Sequence, residues 1–114
     1  MQLDDKTLLL LVYLIGGFVL IGLALPLMAK KIKPNYLYGF RVEKTIENPE
    51  IWYTVNRYAG KRLFVTGICF TVGALAFYFT PGLSVDAYAF LVLAVFIVIF
   101  VIGLIQSVQY LSMF

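Results

Sequence analysis

TLLLLVYLIGGFVLIGLALPLMA, residues 7–29, runs for 23 positions between Lys6 and Lys30 without one charged side chain. About 20 residues of helix cross a hydrocarbon core ~30 Å thick, so this run is long enough to span a bilayer. Two more uncharged runs follow. Residues 63–85 lie between Arg62 and Asp86, and residues 87–114 meet no further charge. Backbone groups in lipid must be satisfied within the segment or in a closed barrel, and three segments are too few for a barrel. The expectation is an all-α integral membrane protein, a single membrane domain over 1–114 with spans at about 7–29, 63–80 and 87–108. Composition points the same way. The chain is 62% hydrophobic and 13% charged, too little polar surface to coat a soluble domain.

The first run is expected to be a retained span and not a cleaved leader. Asp4, Asp5 and a single Lys6 precede it in place of a basic cluster, and Lys30, Lys31 and Lys33 follow it. Eight of the nine basic residues fall between Lys30 and Arg62. Basic loops stay on the cytoplasmic side, which puts the 30–62 loop and the C-terminus inside and the N-terminus and the 81–86 turn outside. That turn, Pro81-Gly82-Leu83-Ser84-Val85-Asp86, has room only for a tight hairpin, so the second and third spans should pack antiparallel.

Small residues suggest where the helices approach. Gly67, Thr71 and Ala74 share one face of the second span, Gly103 and Ser107 repeat the spacing on the third, and Gly16, Gly17 and Gly22 thin the first. Pro26 can bend the inner end of the first span. No Asp, Glu, Lys, Arg or His lies within the three apolar runs, which argues against a proton relay or a conducting path in one chain. The sequence has one cysteine and no histidine. Cys69, in an apolar run, reads as a packing residue. No cofactor, metal site or catalytic constellation is expected: Glu43, Glu47 and Glu50 have no histidine or nucleophile to work with. Basic residues that flank apolar spans are not a nucleic-acid footprint.

The loop, KKIKPNYLYGFRVEKTIENPEIWYTVNRYAGKR, is 33 residues long, where a plain connector takes 2–8. Tyr36, Tyr38, Phe40 and Val42 alternate with Leu37, Gly39 and Arg41, a pattern that predicts a short extended segment. The tyrosines also suit an aromatic belt at the headgroups. Further on, Asn48 can cap a helix, Pro49 suits its first position, and Glu50 complements the positive end of its dipole. Trp52, Asn56 and Gly60 then recur on one stripe beside Ile51, Val55 and Ala59, with Glu50, Thr54, Arg57 and Lys61 opposite. This is a short amphipathic helix, expected to lie at the membrane interface or to run straight into the second span. Asn56 needs a hydrogen-bond partner on that apolar stripe, and Arg41 is the candidate, unless Arg41 clamps a lipid phosphate or both simply face water.

The set Pro34-Asn35, Gly39-Phe40-Arg41, Thr45, Trp52, Asn56 and Ala59-Gly60-Lys61 resembles the signature of the SdpI family, bacterial membrane proteins named for immunity to a sporulation-delaying toxin. That pattern runs Asn, then Gly-x-Arg, a Thr four residues on, a Trp, an Asn or His four after it, and a closing Gly. This sequence departs at Val42-Glu43-Lys44, where members often carry Thr-Pro-Trp. The namesake is longer, with extra spans ahead of this unit, so the resemblance is to its signature-bearing half. The resemblance implies immunity to a secreted, membrane-active peptide toxin, signalling through a cytoplasmic transcriptional repressor, and residence in the bacterial cytoplasmic membrane. It marks Asn35, Gly39, Arg41, Thr45, Trp52, Asn56 and Gly60 as the binding or signature residues. Arg41 would anchor a phosphate or carboxylate, Asn56 would hold the loop on the short helix, Trp52 would fix that helix at the interface, and Gly39 and Gly60 would allow tight turns or close approach. The alternative is a small oligomeric transporter or lipid-binding subunit. Membrane lipids and a second copy of the chain are the other expected partners.

Overall fold

The computed structural model describes residues 3–114. Four helices occur in order: α1 Asp5–Met28, α2 Glu43–Ile46, α3 Pro49–Tyr78 and α4 Val85–Leu111. Among the described residues α1, α3 and α4 are the three helices long and apolar enough to cross a membrane.

Each long helix begins and ends for a local reason. Asp4 caps α1 by accepting the Thr7 N–H at 2.8 Å, and hydrogen bonding from the Thr7 side chain, then from its N–H, holds the Asp4 carboxyl below the ordinary carboxylate range. At the other end the Lys31 N–H reaches the Pro26 carbonyl at 3.0 Å and the Lys30 N–H reaches Leu27 at 3.2 Å. This Schellman closure puts Lys30 at φ 58°, a left-handed conformation usually given to glycine. α1 continues through Pro26 to Met28. Pro49 opens α3 at the first position and Glu50 sits in its first turn, as the sequence led one to expect. Asn48 precedes them without a side-chain cap; its amide donates to the Lys44 carbonyl at the end of α2 instead. Ser84 caps α4 through the Ala87 N–H at 3.1 Å, after a turn in which Gly82 takes φ 76°.

The segment expected as a separate interfacial helix is the first part of α3, which runs 30 residues without interruption. At 1.5 Å per residue this helix is ~45 Å long, well beyond a ~30 Å core. All four of its charged residues, Glu50, Arg57, Lys61 and Arg62, fall in its first half. The molecule is correspondingly elongated, 51 × 27 × 18 Å.

α3 is the central helix. Thr7 pairs with Tyr78 while a Cβ on Gly60 would meet Ala24 and Leu27, so α1 runs antiparallel to it. Tyr88 pairs with Ala74 and Arg62 with Gln106, so α4 does too. α1 and α3 approach through glycine: a Cβ on Gly67 would lie 3.2 Å from the Gly17 carbonyl oxygen, and one on Gly17 would collide with the Thr71 hydroxyl. Between α3 and α4 it is Gly103 that faces Arg62 Cβ, at 3.2 Å from where its own Cβ would stand. Lipid offers no hydrophobic drive between helices, so such close backbone packing carries the association.

The hairpin end is the tightly packed end. Leu10, Tyr13, Phe70, Ala74, Tyr88 and Val92 form its core, with the Tyr13 ring 5.4 Å from Phe70 and 5.9 Å from Tyr88. Every polar handle there is used. The Tyr88 hydroxyl donates to the Ala74 carbonyl at 2.9 Å, the Tyr13 hydroxyl to Ala89 at 3.0 Å, and Lys6 Nζ to Leu83 at 3.0 Å. The last two bonds tie α1 directly to α4 or its leading turn. Toward the loop end such ties cease, and the two helices are separated by a cleft.

Candidate functional site

Residues 33–48 fold into a cap on the first turns of α3. Asn35 starts it. Its side-chain oxygen accepts the Leu37 and Tyr38 N–H groups at 2.8 and 2.7 Å, and its amide donates to the Lys33 carbonyl at 2.7 Å. These local bonds compete with extended pairing. Residues 36–40 accordingly form a series of bends where the alternation predicted a strand, and Gly39 completes the reversal at φ 115°.

Two buried side chains of α3 seize this cap. Trp52 is fully buried and donates its indole N–H to the Ile32 carbonyl at 2.7 Å. It is a core residue of the cap, not an anchor in the headgroup layer. Asn56, 2% exposed, accepts the Phe40 N–H at 2.5 Å and donates to the Trp52 carbonyl at 3.0 Å and the Phe40 carbonyl at 3.4 Å. Fully buried Thr45 accepts the Val42 N–H at 3.0 Å and shares its hydroxyl proton between the Phe40 and Val42 carbonyls, each at 2.9 Å. The Phe40 peptide groups are thus held on both sides. Gly39 must be glycine twice over, because a Cβ would stand 2.9 Å from Asn56 Oδ1 and 3.0 Å from the Trp52 ring. Gly60, one turn beyond Asn56, lets α1 cross at the foot of the cap.

Of the seven signature residues the structure brings Gly39, Thr45, Trp52 and Asn56 into one cluster. Asn35 shapes the approach to it and Gly60 its base. Arg41 stands apart. It is exposed and donates to the Tyr36 carbonyl, with no contact to Asn56. Tyr36 and Leu37 beside it are 77% and 90% exposed.

The cap roofs the cleft. Tyr38, Gly39 and Phe40 close its end, Leu20 and Leu23 of α1 face Phe100 and Leu104 of α4 across it, and Arg62 and Leu63 of α3 form its floor. Its volume is about 340 Å³. Tyr38 donates its hydroxyl to the Leu23 carbonyl, and burial pushes that hydroxyl's pKa up. Arg62 escaped notice in the sequence because it stands at the edge of an apolar run and reads as a flanking charge. Continuity of α3 turns it inward. Its Nη1 donates to Gln106 Oε1 at 3.1 Å, its guanidinium lies 5.6 Å from the Tyr58 ring centre, and its Nε is buried without a partner. The signals that could have found it are Gly103 and Gln106 one turn apart on α4, a gap and an amide for a long side chain.

The fold and the cap define a class: a small multi-pass helical membrane protein whose central span carries a folded polar cap on its basic end. The chain belongs to the SdpI/YfhL protein family, whose match covers residues 31–107, from the start of the loop to the last turns of α4. Comparison with curated proteins and with solved structures returned no match.

Proposed function

We propose that this protein confers immunity to a secreted, membrane-active peptide, acting in the bacterial cytoplasmic membrane with the cap on the cytoplasmic side, and by binding rather than by catalysis. Family membership across 31–107 carries this reading. The cap supports it, because its signature residues are spent on holding one loop conformation, which leaves exposed Arg41 and its neighbours Tyr36 and Leu37 as the surface for a partner. A cytoplasmic repressor recruited to the occupied protein would meet that surface.

The test separates recognition from folding. Arg41→Ala removes an exposed side chain and should leave membrane abundance unchanged while survival of a sensitive host, challenged with the sporulation-delaying peptide for which the family is named, drops. Asn56→Ala strands the Phe40 N–H, costs about 1–3 kcal/mol, and should lower abundance and protection together. Full protection by Arg41→Ala at normal abundance would remove Arg41 from the recognition surface, and no protection by the wild type would remove the immunity reading itself.

A further inference from the structure

The cleft between α1 and α4 is hydrocarbon-lined along its walls and carries one charged group, Arg62, on its floor. The three hydroxyl side chains that also line it are already used, each donating to a backbone carbonyl: Tyr38 to Leu23, Thr66 to Arg62, and Ser107 to Gly103. Arg62 is different. Its one protein partner is a neutral amide, its Nε is buried and unpartnered, and no carboxylate lines the cleft. A guanidinium in such surroundings is a receptor for an anion. The Tyr58 ring beneath it also borders a surface depression edged by Lys30, Arg57 and Lys61, so the local potential is positive.

Position along the helix decides which anion. Arg62 is the last charged residue of α3 before the apolar run that opens at Leu63, so it stands at headgroup depth. The walls below it reach toward the membrane centre, from Leu27 to Leu20 on α1, about two turns or ~10 Å. Leu23, Phe100 and Leu104 are each at least 40% exposed, so the cleft opens sideways to lipid. The occupant must therefore combine an anionic head with a thin apolar tail. Two turns of a peptide helix ~10 Å wide would fill roughly 800 Å³, more than twice the cleft of about 340 Å³; a single acyl chain is the thinner fit.

We propose that this cleft is a binding site for an anionic phospholipid, one acyl chain lying between α1 and α4 and the phosphate on the Arg62 guanidinium. The site stands whether or not the immunity reading holds. The full chain, purified in mild detergent, is titrated separately with dioleoylphosphatidylglycerol, dioleoylphosphatidylcholine and inorganic phosphate, and bound molecules are read by native mass spectrometry. The wild type should take one phosphatidylglycerol with about a tenfold preference over phosphatidylcholine, and millimolar phosphate should not displace it. Arg62→Gln should abolish that preference, while Lys31→Gln, an exposed basic residue outside the cleft, should leave it intact. Leu104→Trp, which narrows the cleft without touching the charge, should weaken phosphatidylglycerol binding severalfold, and decides the matter if Arg62→Gln does not fold. Equal binding of the two lipids, an undiminished preference in Arg62→Gln, displacement by phosphate alone, or unchanged binding in Leu104→Trp would each overturn the proposal.

Discussion

A methyl group on Gly39 would stand 2.9 Å from Asn56 Oδ1, the atom that accepts the Phe40 N–H. Turn and latch therefore exclude each other unless position 39 is glycine. Gly39→Ala combines that clash with the strain of φ 115° and should cost about 2–3 kcal/mol, seen as a lower unfolding temperature in detergent and faster proteolysis within 33–47. Gly82→Ala is the control. Gly82 also has positive φ, at 76°, but open space around it, so it should cost about 1 kcal/mol.

Gly17 and Thr71 form a second mutually exclusive pair. A Cβ at Gly17 would overlap the Thr71 hydroxyl, which donates to the Gly67 carbonyl at 2.8 Å. Gly17→Ala should push α1 off α3 and cost about 1–3 kcal/mol. Thr71→Ala removes the obstructing oxygen, so the double variant should recover at least about 1 kcal/mol of that loss in a double-mutant cycle. Additive losses would show that the helices separate for another reason.

Lys30 closes α1 in a left-handed conformation that its side chain disfavours. Lys30→Gly should raise stability by up to about 1 kcal/mol, measured by thermal unfolding of the purified protein. Lys30→Ala, which keeps the strain and removes the charge, should not.

The orientation can be checked with single cysteines in a Cys69→Ser background. Pro81→Cys lies in the exposed hairpin turn and Glu47→Cys in the exposed end of the cap. An impermeant thiol reagent on intact cells should label position 81 and spare position 47. The reverse pattern would place the cap outside the cell.

The three spans were legible because a run of more than 20 uncharged residues has few other uses. The helix beginning at Pro49 and the placing of Trp52, Asn56 and Gly60 on one stripe were legible from spacing alone, while spacing left open the burial of that stripe under the cap. Three features were not. Alternation at 36–42 suggested an extended segment, but period-two patterning does not register what Asn35 does with its side chain or what Gly39 does with its backbone. Asn48 offered itself as a cap, and the competing acceptor at Lys44 is supplied by the short α2, which no periodicity announces. Arg62 read as a boundary marker because hydropathy treats a charge as the end of a span. Whether such a residue faces lipid headgroups or a neighbouring helix depends on whether the helix carries on through it, and here it does.

That continuity has a mechanical side. α3 has no proline, break or bulge between the buried stripe at Trp52 and the aromatic core at Ala74, and α1 grips it at midlength through Gly17 and Gly67. α1 grips it a second time at Gly60, against Ala24 and Leu27. One uninterrupted helix thus joins the cap, both glycine contacts and the aromatic core, and the register of any one of them along α3 sets the register of the others.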